Sequence, residues 1–185
     1  MSPTSSGPSR SRPGREADVP AITEIYNDAV LTTTGTFDTE PRSLADRIDW
    51  FRHHSLRHPI LVADDAAEIL GWASLSPWSD RPAYDATAEV SVYVRRSAQG
   101  RGIGTHLLAE LLRAARDAGH HALLARVAEG NDASLRLHRS AGFFEVGVMR
   151  EVGVKFGRRL DVHLLEALLG ANGAGTVPEP AQSRP

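Results

Sequence analysis

Three glycines within five residues, Gly100, Gly102 and Gly104, separate two strongly patterned segments. Before them, Thr87–Arg95 places Val90, Val92 and Val94 at period two, the pattern of a strand. After them, Gly102–Ala118 carries Leu107, Leu108, Leu111, Leu112 and Ala115 at helical spacing and stops at Gly119. The chain must therefore pass from strand to helix through Gln99-Gly100-Arg101-Gly102-Ile103-Gly104. Glycines let a ligand approach the backbone closely. A helix N-terminus offers unpaired amides and partial positive charge, which suit phosphate. The turn reads as a pyrophosphate cradle. It is not a P-loop, because no Lys precedes Thr105, and it is not a dinucleotide fingerprint, whose glycine spacing differs. The alternative is a tight turn with close helix–sheet packing.

Composition narrows the class. The chain has 185 residues, 41% of them apolar with 16 further glycines, ordinary values for one globular domain. Cysteine is absent, which excludes a disulfide scaffold, a thiolate metal site and a Cys nucleophile. With 21 basic and 23 acidic residues there is no global basic field for nucleic acid or an anionic membrane. No apolar run is long enough to span a bilayer, and the N-terminus lacks the apolar segment of a signal peptide. These features lead to the expectation of a cytoplasmic domain. Residues 1–11, rich in Ser and Pro, and 170–185, rich in Gly, Ala and Pro, are expected to be disordered tails flanking a folded domain at 12–169, with Arg10–Arg15 able to add a short edge strand.

The remaining pattern is coarse but ordered. Asp18 with Pro20 predicts a capped helix carrying Ile22, Ile25, Tyr26, Ala29 and Val30. Ser43 caps a second helix with Leu44, Ile48, Trp50 and Phe51. Ile60–Ala63 and Ile69–Leu75 form a hairpin around Asp64–Glu68. Ala122–Val127 is a strand, Asn131–Ser140 a helix ended by Gly142, and Phe143–Met149 and Leu160–Leu168 read as final strands, the second ambiguous with a helix. The order βααβββαβαββ predicts an α+β fold with a mostly antiparallel sheet and one parallel βαβ segment.

Gln99–Gly104 resembles the (Q/R)xxGxG/A acetyl-CoA motif of the GCN5-related N-acetyltransferases. Ile25–Val30, Pro77-Trp78, Arg81, Ala83–Asp85, Glu89–Val94, Asn131–His138 and Lys155–Arg158 are similar to the phosphinothricin and methionine sulfoximine acetyltransferase branch, over about residues 12–168. The resemblance implies a three-layer fold whose central strands splay after the glycine-motif strand, with Val92–Val94 facing Ala125–Ala128. It implies acetyl transfer from acetyl-CoA to the α-amine of a small amino-acid-like compound by a homodimer, without metal. It further implies that amides of Val92, Tyr93 and Val94 bind pantetheine and polarise the thioester, that Gln99, Gly100, Arg101, Gly102, Ile103 and Gly104 hold the pyrophosphate, and that Asn131 holds the pantetheine arm. A bulky residue at Gly102 or Gly104 is then expected to abolish acetyl-CoA affinity and spare folding. Ala98 departs from the Gln or His of many relatives, and Arg159 stands where relatives often have Trp.

The chemistry needs a base, because an amino-acid ammonium must lose a proton before it attacks. Alternation puts Glu89, Ser91 and Tyr93 on one face of their strand. Glu89 is either a solvated strand-end carboxylate or, as the resemblance implies, the general base or ammonium anchor, its basicity raised by burial. His138 follows Asn131 by two helical turns and is a proton donor, a contact to CoA, or a helix His packed on Phe143. Arg81 is a surface arginine or, by the resemblance, the anchor for a carboxylate or phosphinate. Phe37, Trp78 and Tyr84 are pocket walls or core. Lys155–Gly157 could close the pocket. His53, His54 and His58 read as a solvated basic face, and His120 and His121 as a turn.

Rival functions stay open at this level. They are acetylation of another amine (a polyamine, an aminoglycoside or a protein N-terminus), a non-catalytic CoA-binding module, and a nucleotide-binding regulator. Within the leading reading, detoxification of an antibiotic or herbicide and housekeeping acylation look alike.

Overall fold

The computed structural model describes residues 10–65 and 68–170. Its elements are β1 (Arg10–Pro13), α1 (Val19–Thr32), α2 (Leu44–Arg52), β2 (Ile60–Asp64), β3 (Ile69–Pro77), β4 (Thr87–Val94), α3 (Ile103–Asp117), β5 (Ala122–Ala128), α4 (Asp132–Ser140), β6 (Phe144–Lys155) and β7 (Arg158–Leu168). This is the expected βααβββαβαββ order, and Leu160–Leu168, ambiguous by pattern, is a strand. The strands form one sheet in the order β1-β2-β3-β4-β5-β7-β6, antiparallel throughout except for β4–β5. The edge strand starts at Arg10, two residues before the expected domain boundary. The expected tails otherwise lie outside the described residues.

Two apolar layers sandwich the sheet. On one face Leu107, Leu108, Leu111 and Ala115 of α3 pack with Leu135 of α4 on Leu75, Val90, Leu123 and Ala125. On the other, Ile22 and Ile25 of α1 pack on Val62 and Trp72. Strand β3 is buried from Ile69 to Leu75, which explains why its sequence is a continuous apolar run rather than an alternating one. Arg47 of α2 is buried against this second layer, its guanidinium 3.6 Å from the Trp50 ring centre and 4.7 Å from that of Tyr26. Burial, with no carboxylate hydrogen-bonded to it among the described residues, holds its pKa down to about 10, so cation–π contact supplies part of what desolvation takes away.

The helix starts differ in mechanism. Ser43 caps α2 as expected, its Oγ accepting from Asp46 N–H at 3.1 Å. Asp18 does not cap α1. Its carboxylate accepts from Arg12 Nη1 and Nη2 at 2.7 and 2.9 Å and from Arg15 N–H at 2.8 Å, tying β1 to the start of the helix. Arg12 also donates to Asp64 at 2.8 Å, so one guanidinium clamps the edge strand at two points. Among the described residues no helix is long and apolar enough to cross a membrane.

Candidate active site

Strands β4 and β5 pair only at Thr87–Ala122, Ala88–Leu123 and Glu89–Leu124. Beyond Glu89 they part, while β4 keeps its pairing with β3 as far as Val94. Arg95 N–H donates to Leu70 O of β3 at 2.8 Å. Backbone direction alternates along a strand, so the Tyr93 amide also faces β3, whereas the Val92 and Val94 amides face the gap. This corrects the expectation for Tyr93, whose contribution to the gap is its side chain. The splay opens a cavity of about 1650 Å³ lined by Val92, Tyr93, Val94, Gln99, Gly100, Gly102, Ile103, Gly104, Asn131 and His138, with Phe37 and Glu89 toward its other end. It exceeds the roughly 300–1,000 Å³ of a drug-sized pocket.

The glycine turn does two different things. Gly102 has φ +80°, a left-handed conformation, and a Cβ there meets no heavy atom within 4 Å. It leads into α3 with no side-chain cap, so the Ile103, Gly104 and Thr105 amides, which precede the first helical bond from His106 N–H to Gly102 O, are available to a ligand. Gly104 has ordinary φ, but a Cβ there stands 3.4 Å from Leu137 Cδ2 and 3.6 Å from Val94 Cγ2. Its smallness serves helix packing, so the expectation that a bulky residue at Gly104 spares folding is not supported by the packing. Gln99 Nε2 donates to Val94 O at 3.3 Å and braces the turn. Arg101 is exposed and outside the cavity lining.

Asn131 and His138 both border the cavity, and each is partly committed to its own helix. Asn131 Oδ1 accepts from Ser134 N–H at 3.2 Å, capping α4. His138 is buried, with its ring 5.1 Å from that of Phe143 and edge-to-face, so the packing reading holds. Its Nδ1 lies 2.8 Å from Ser134 O. A carbonyl only accepts, so Nδ1 carries the proton and the neutral ring presents a lone pair at Nε2, which is buried without a partner among the described residues. Burial also holds the His138 pKa below the usual histidine value. In its neutral state the ring offers an acceptor toward the cavity.

Burial likewise depresses His54, whose ring packs at a tilt 4.4 Å from that of Trp50, and His58, 5.1 Å from the His120 ring. The expected solvated basic face is split, with Arg52 and His53 exposed and His54 and His58 partly buried, and His120 is buried rather than an open turn. A depressed histidine binds its proton more weakly in the folded state than in the unfolded chain. Its contribution to stability is complete above the unfolded value of about 6.5 and is lost as pH falls through the window beneath it. The melting temperature is expected to drop from about pH 7 to about pH 5.5, with a shallower slope in His138→Gln. Equal slopes in the two proteins run against the assignment to His138.

Glu89 lies at the fork itself, its side chain 20% exposed. It is not the solvated strand-end carboxylate that the sequence left open. Arg126 of β5 donates to both its oxygens at 2.6 Å, through Nε and Nη2, and the pairing raises the Arg126 pKa. Trp78 stands beside this pair, 5.7 Å from the Arg126 guanidinium. Arg81 and Tyr84 are exposed on the loop between β3 and β4, a loop fixed by Arg57 donating to Asp85 at 2.7 Å, and neither they nor Trp78 line the cavity. The residue that sequence reading missed is Arg126. Its signal was a single charge inside the apolar strand Ala122–Ala128, at the period-two position of Leu124, the partner of Glu89.

The far wall is the loop between α1 and α2, which leans on the β6–β7 hairpin. β6 is bulged between Met149 and Gly153, and Met149, Val152 and Phe156 line the cavity. The Phe37 ring packs directly on Gly153, where an added Cβ overlaps its Cε2. Lys155, buried and depressed by that burial, donates to Thr36 O at 2.6 Å, so the Lys155–Gly157 turn closes this side. Tyr26 donates to Asp38 at 2.7 Å and holds the loop from beneath. If the resemblance holds and this end of the cavity takes an acceptor amine, Gly153→Ala is expected to expel Phe37 and raise KM for that amine about tenfold while leaving acetyl-CoA affinity within twofold, measured by initial rates and calorimetry. A larger change in acetyl-CoA affinity than in amine KM contradicts this placement.

Residues 22–143 match the model of the Acetyltransferase (GNAT) family. The chain belongs to that family. It is an N-acetyltransferase, and its α+β sheet with the parallel β4–β5 pair is the GNAT fold. It is 45% identical over 152 residues to an L-methionine sulfoximine/L-methionine sulfone acetyltransferase of Pseudomonas aeruginosa, covering 81% of this chain and 88% of that protein. It is 46% identical over 155 residues to a phosphinothricin N-acetyltransferase of Streptomyces coelicolor, covering 82% and 91%. Among solved structures, an acetyltransferase of Salmonella typhimurium with its cofactor acetyl-CoA superposes with a TM-score of 0.86 at 37% identity, covering 92% of this chain and 99% of that one.

Proposed function

We propose that this enzyme transfers the acetyl group of acetyl-CoA to the α-amine of a small amino-acid-like substrate such as phosphinothricin, methionine sulfoximine or methionine sulfone. The observation that carries the reading is the fork: two strands part at Glu89, with the Val92 and Val94 amides on the open side and the α3 N-terminus at its end. Those features fit the coenzyme. The Gly100–Gly104 backbone takes the diphosphate, the β4 edge and Asn131 Nδ2 take the pantetheine arm, and the buried Nε2 of His138 accepts from a donor on it. The bound coenzyme supplies an acyl group activated as a thioester. Glu89 receives the amine from the other end of the cavity and takes the proton that the ammonium must lose before attack. A backbone amide at the fork, fixed before the reaction, would stabilise charge developing on the acyl oxygen as the C–N bond forms. The C–S bond then breaks, the coenzyme leaves as its thiol with the second amine proton, and Glu89 returns the first to solvent.

The amino-acid substrate class is supported by the names of relatives at about 45% identity over most of both chains. A homodimer is supported by Val146, Val154 and Phe156, exposed apolar side chains on or beside the sheet-edge strand β6. The test of the reaction is product identity. Incubation with acetyl-CoA and L-methionine sulfone is expected to give the N-acetylated amino acid, identified by its mass and the downfield move of its α-proton resonance. Coenzyme binding without any acetylated product favours the binding-module reading instead.

A further inference from the structure

We infer that the Glu89–Arg126 pair stands in for the charges of the substrate's own α-carbon, and that Arg126 rather than Arg81 reads the substrate's α-carboxylate. The inference rests on the reading of the enzyme as an amino-acid acetyltransferase. An α-amino acid carries an ammonium and a carboxylate on one carbon. The fork carries a carboxylate and a guanidinium that, among the described residues, hydrogen-bond to each other through two bonds of 2.6 Å. Both side chains line the cavity. A zwitterion entering there replaces one ion pair by two, ammonium on Glu89 and carboxylate on Arg126, with no unpaired charge left at the fork. A planar guanidinium suits this exchange because it can offer a carboxylate the same bidentate fork it now offers Glu89.

Mobility is distributed in the required way. The Arg126 side chain is 53% exposed and that of Glu89 20%, so the arginine is the partner free to swing, along the Trp78 face beside it. Arg81 lies on an exposed loop outside the lining. The exchange has a catalytic consequence. While Arg126 donates to both Glu89 oxygens, it occupies one lone pair on each and stands in the way of an ammonium approaching from that side. A substrate carboxylate that draws Arg126 away releases the base, whereas an amine without a carboxylate leaves it held. Selection for amino acids then acts on turnover as well as on binding.

The experiment compares kcat/KM for L-methionine sulfone and for its neutral α-carboxamide in the wild type, Arg126→Gln, Arg126→Lys and Arg81→Gln. The wild type is expected to prefer the acid by about a hundredfold, the discrimination open to a charged hydrogen-bonding site. Arg126→Gln is expected to shrink that preference to about fivefold or less, by lowering kcat/KM for the acid and raising kcat for the carboxamide, while Arg126→Lys keeps an intermediate preference. A purely structural role for Arg126 lowers both substrates together and cannot raise the carboxamide. An unchanged preference in Arg126→Gln, or a collapse confined to Arg81→Gln, overturns the assignment and leaves the acetyltransferase reading standing. Failure of the wild type to acetylate either compound overturns both.

Discussion

Gly102→Val is expected to weaken acetyl-CoA binding by at least about a hundredfold, close to 3 kcal/mol, while the protein still folds. The residue sits at φ +80°, where a β-branched side chain costs on the order of 1–3 kcal/mol. No atom lies within 4 Å of the new Cβ, so the substitution meets space rather than packed core. That space is the cradle, and the valine removes the close approach that the α3 amides need to reach a diphosphate. Calorimetric titration gives the affinity and a melting curve confirms the fold. Wild-type affinity in a folded Gly102→Val protein contradicts the cradle. Gly104→Val is expected to behave differently, because Leu137 and Val94 already touch that position, and its main effect is a lowered melting temperature.

The second large effect is expected at Glu89. Glu89→Gln keeps the side-chain volume and removes the proton acceptor, and kcat is expected to fall by about 10²–10³ at neutral pH. Acetyl-CoA affinity is expected to stay within twofold, since Glu89 lies at the other end of the cavity from the glycine turn. The pH profile separates the base from a mere anchor. Loss of a base leaves the residual rate nearly independent of pH on the acid limb, whereas loss of an anchor raises KM and preserves the limb. Steady-state kinetics across pH with saturating acetyl-CoA decide between them. A Glu89→Gln enzyme with wild-type kcat contradicts the proton-transfer role.

Much of this molecule was legible in the sequence because its strongest patterns are local. Period-two valines set the faces of β4, the α3 leucines declared their buried face, and the glycine turn between them marked the entry to α3 that borders the cavity. The resemblance then supplied Glu89, Asn131 and His138, all of which line the cavity. What escaped was set by which partner a side chain meets in the folded chain, near or far in sequence. Asp18 is a clean cap by local rules, yet Arg12, brought over by strand pairing, takes its carboxylate. His120 follows a turn glycine, yet its Nε2 meets Arg57 O across 63 positions and the side chain is buried. The Arg126–Glu89 bond spans 37 positions and depends on the register of the parallel pair, which no local pattern encodes. The His138 tautomer depends on one carbonyl a helical turn back, and only geometry shows that it is taken. Arg81, Trp78 and Tyr84 were grouped by proximity in sequence, and the loop separates Trp78, which stays at the fork, from the other two.

The most direct measurement is the initial rate of CoA thiol release from acetyl-CoA with phosphinothricin, L-methionine sulfoximine and L-methionine sulfone, set beside spermidine and kanamycin. The expected result is saturable release with at least one of the three amino-acid analogues, at kcat/KM ten or more times that of either polycation. Release that is faster with spermidine or kanamycin, or absent with every amine from a folded protein, contradicts an acyl donor seated at the α3 N-terminus and an amino acid received at Glu89.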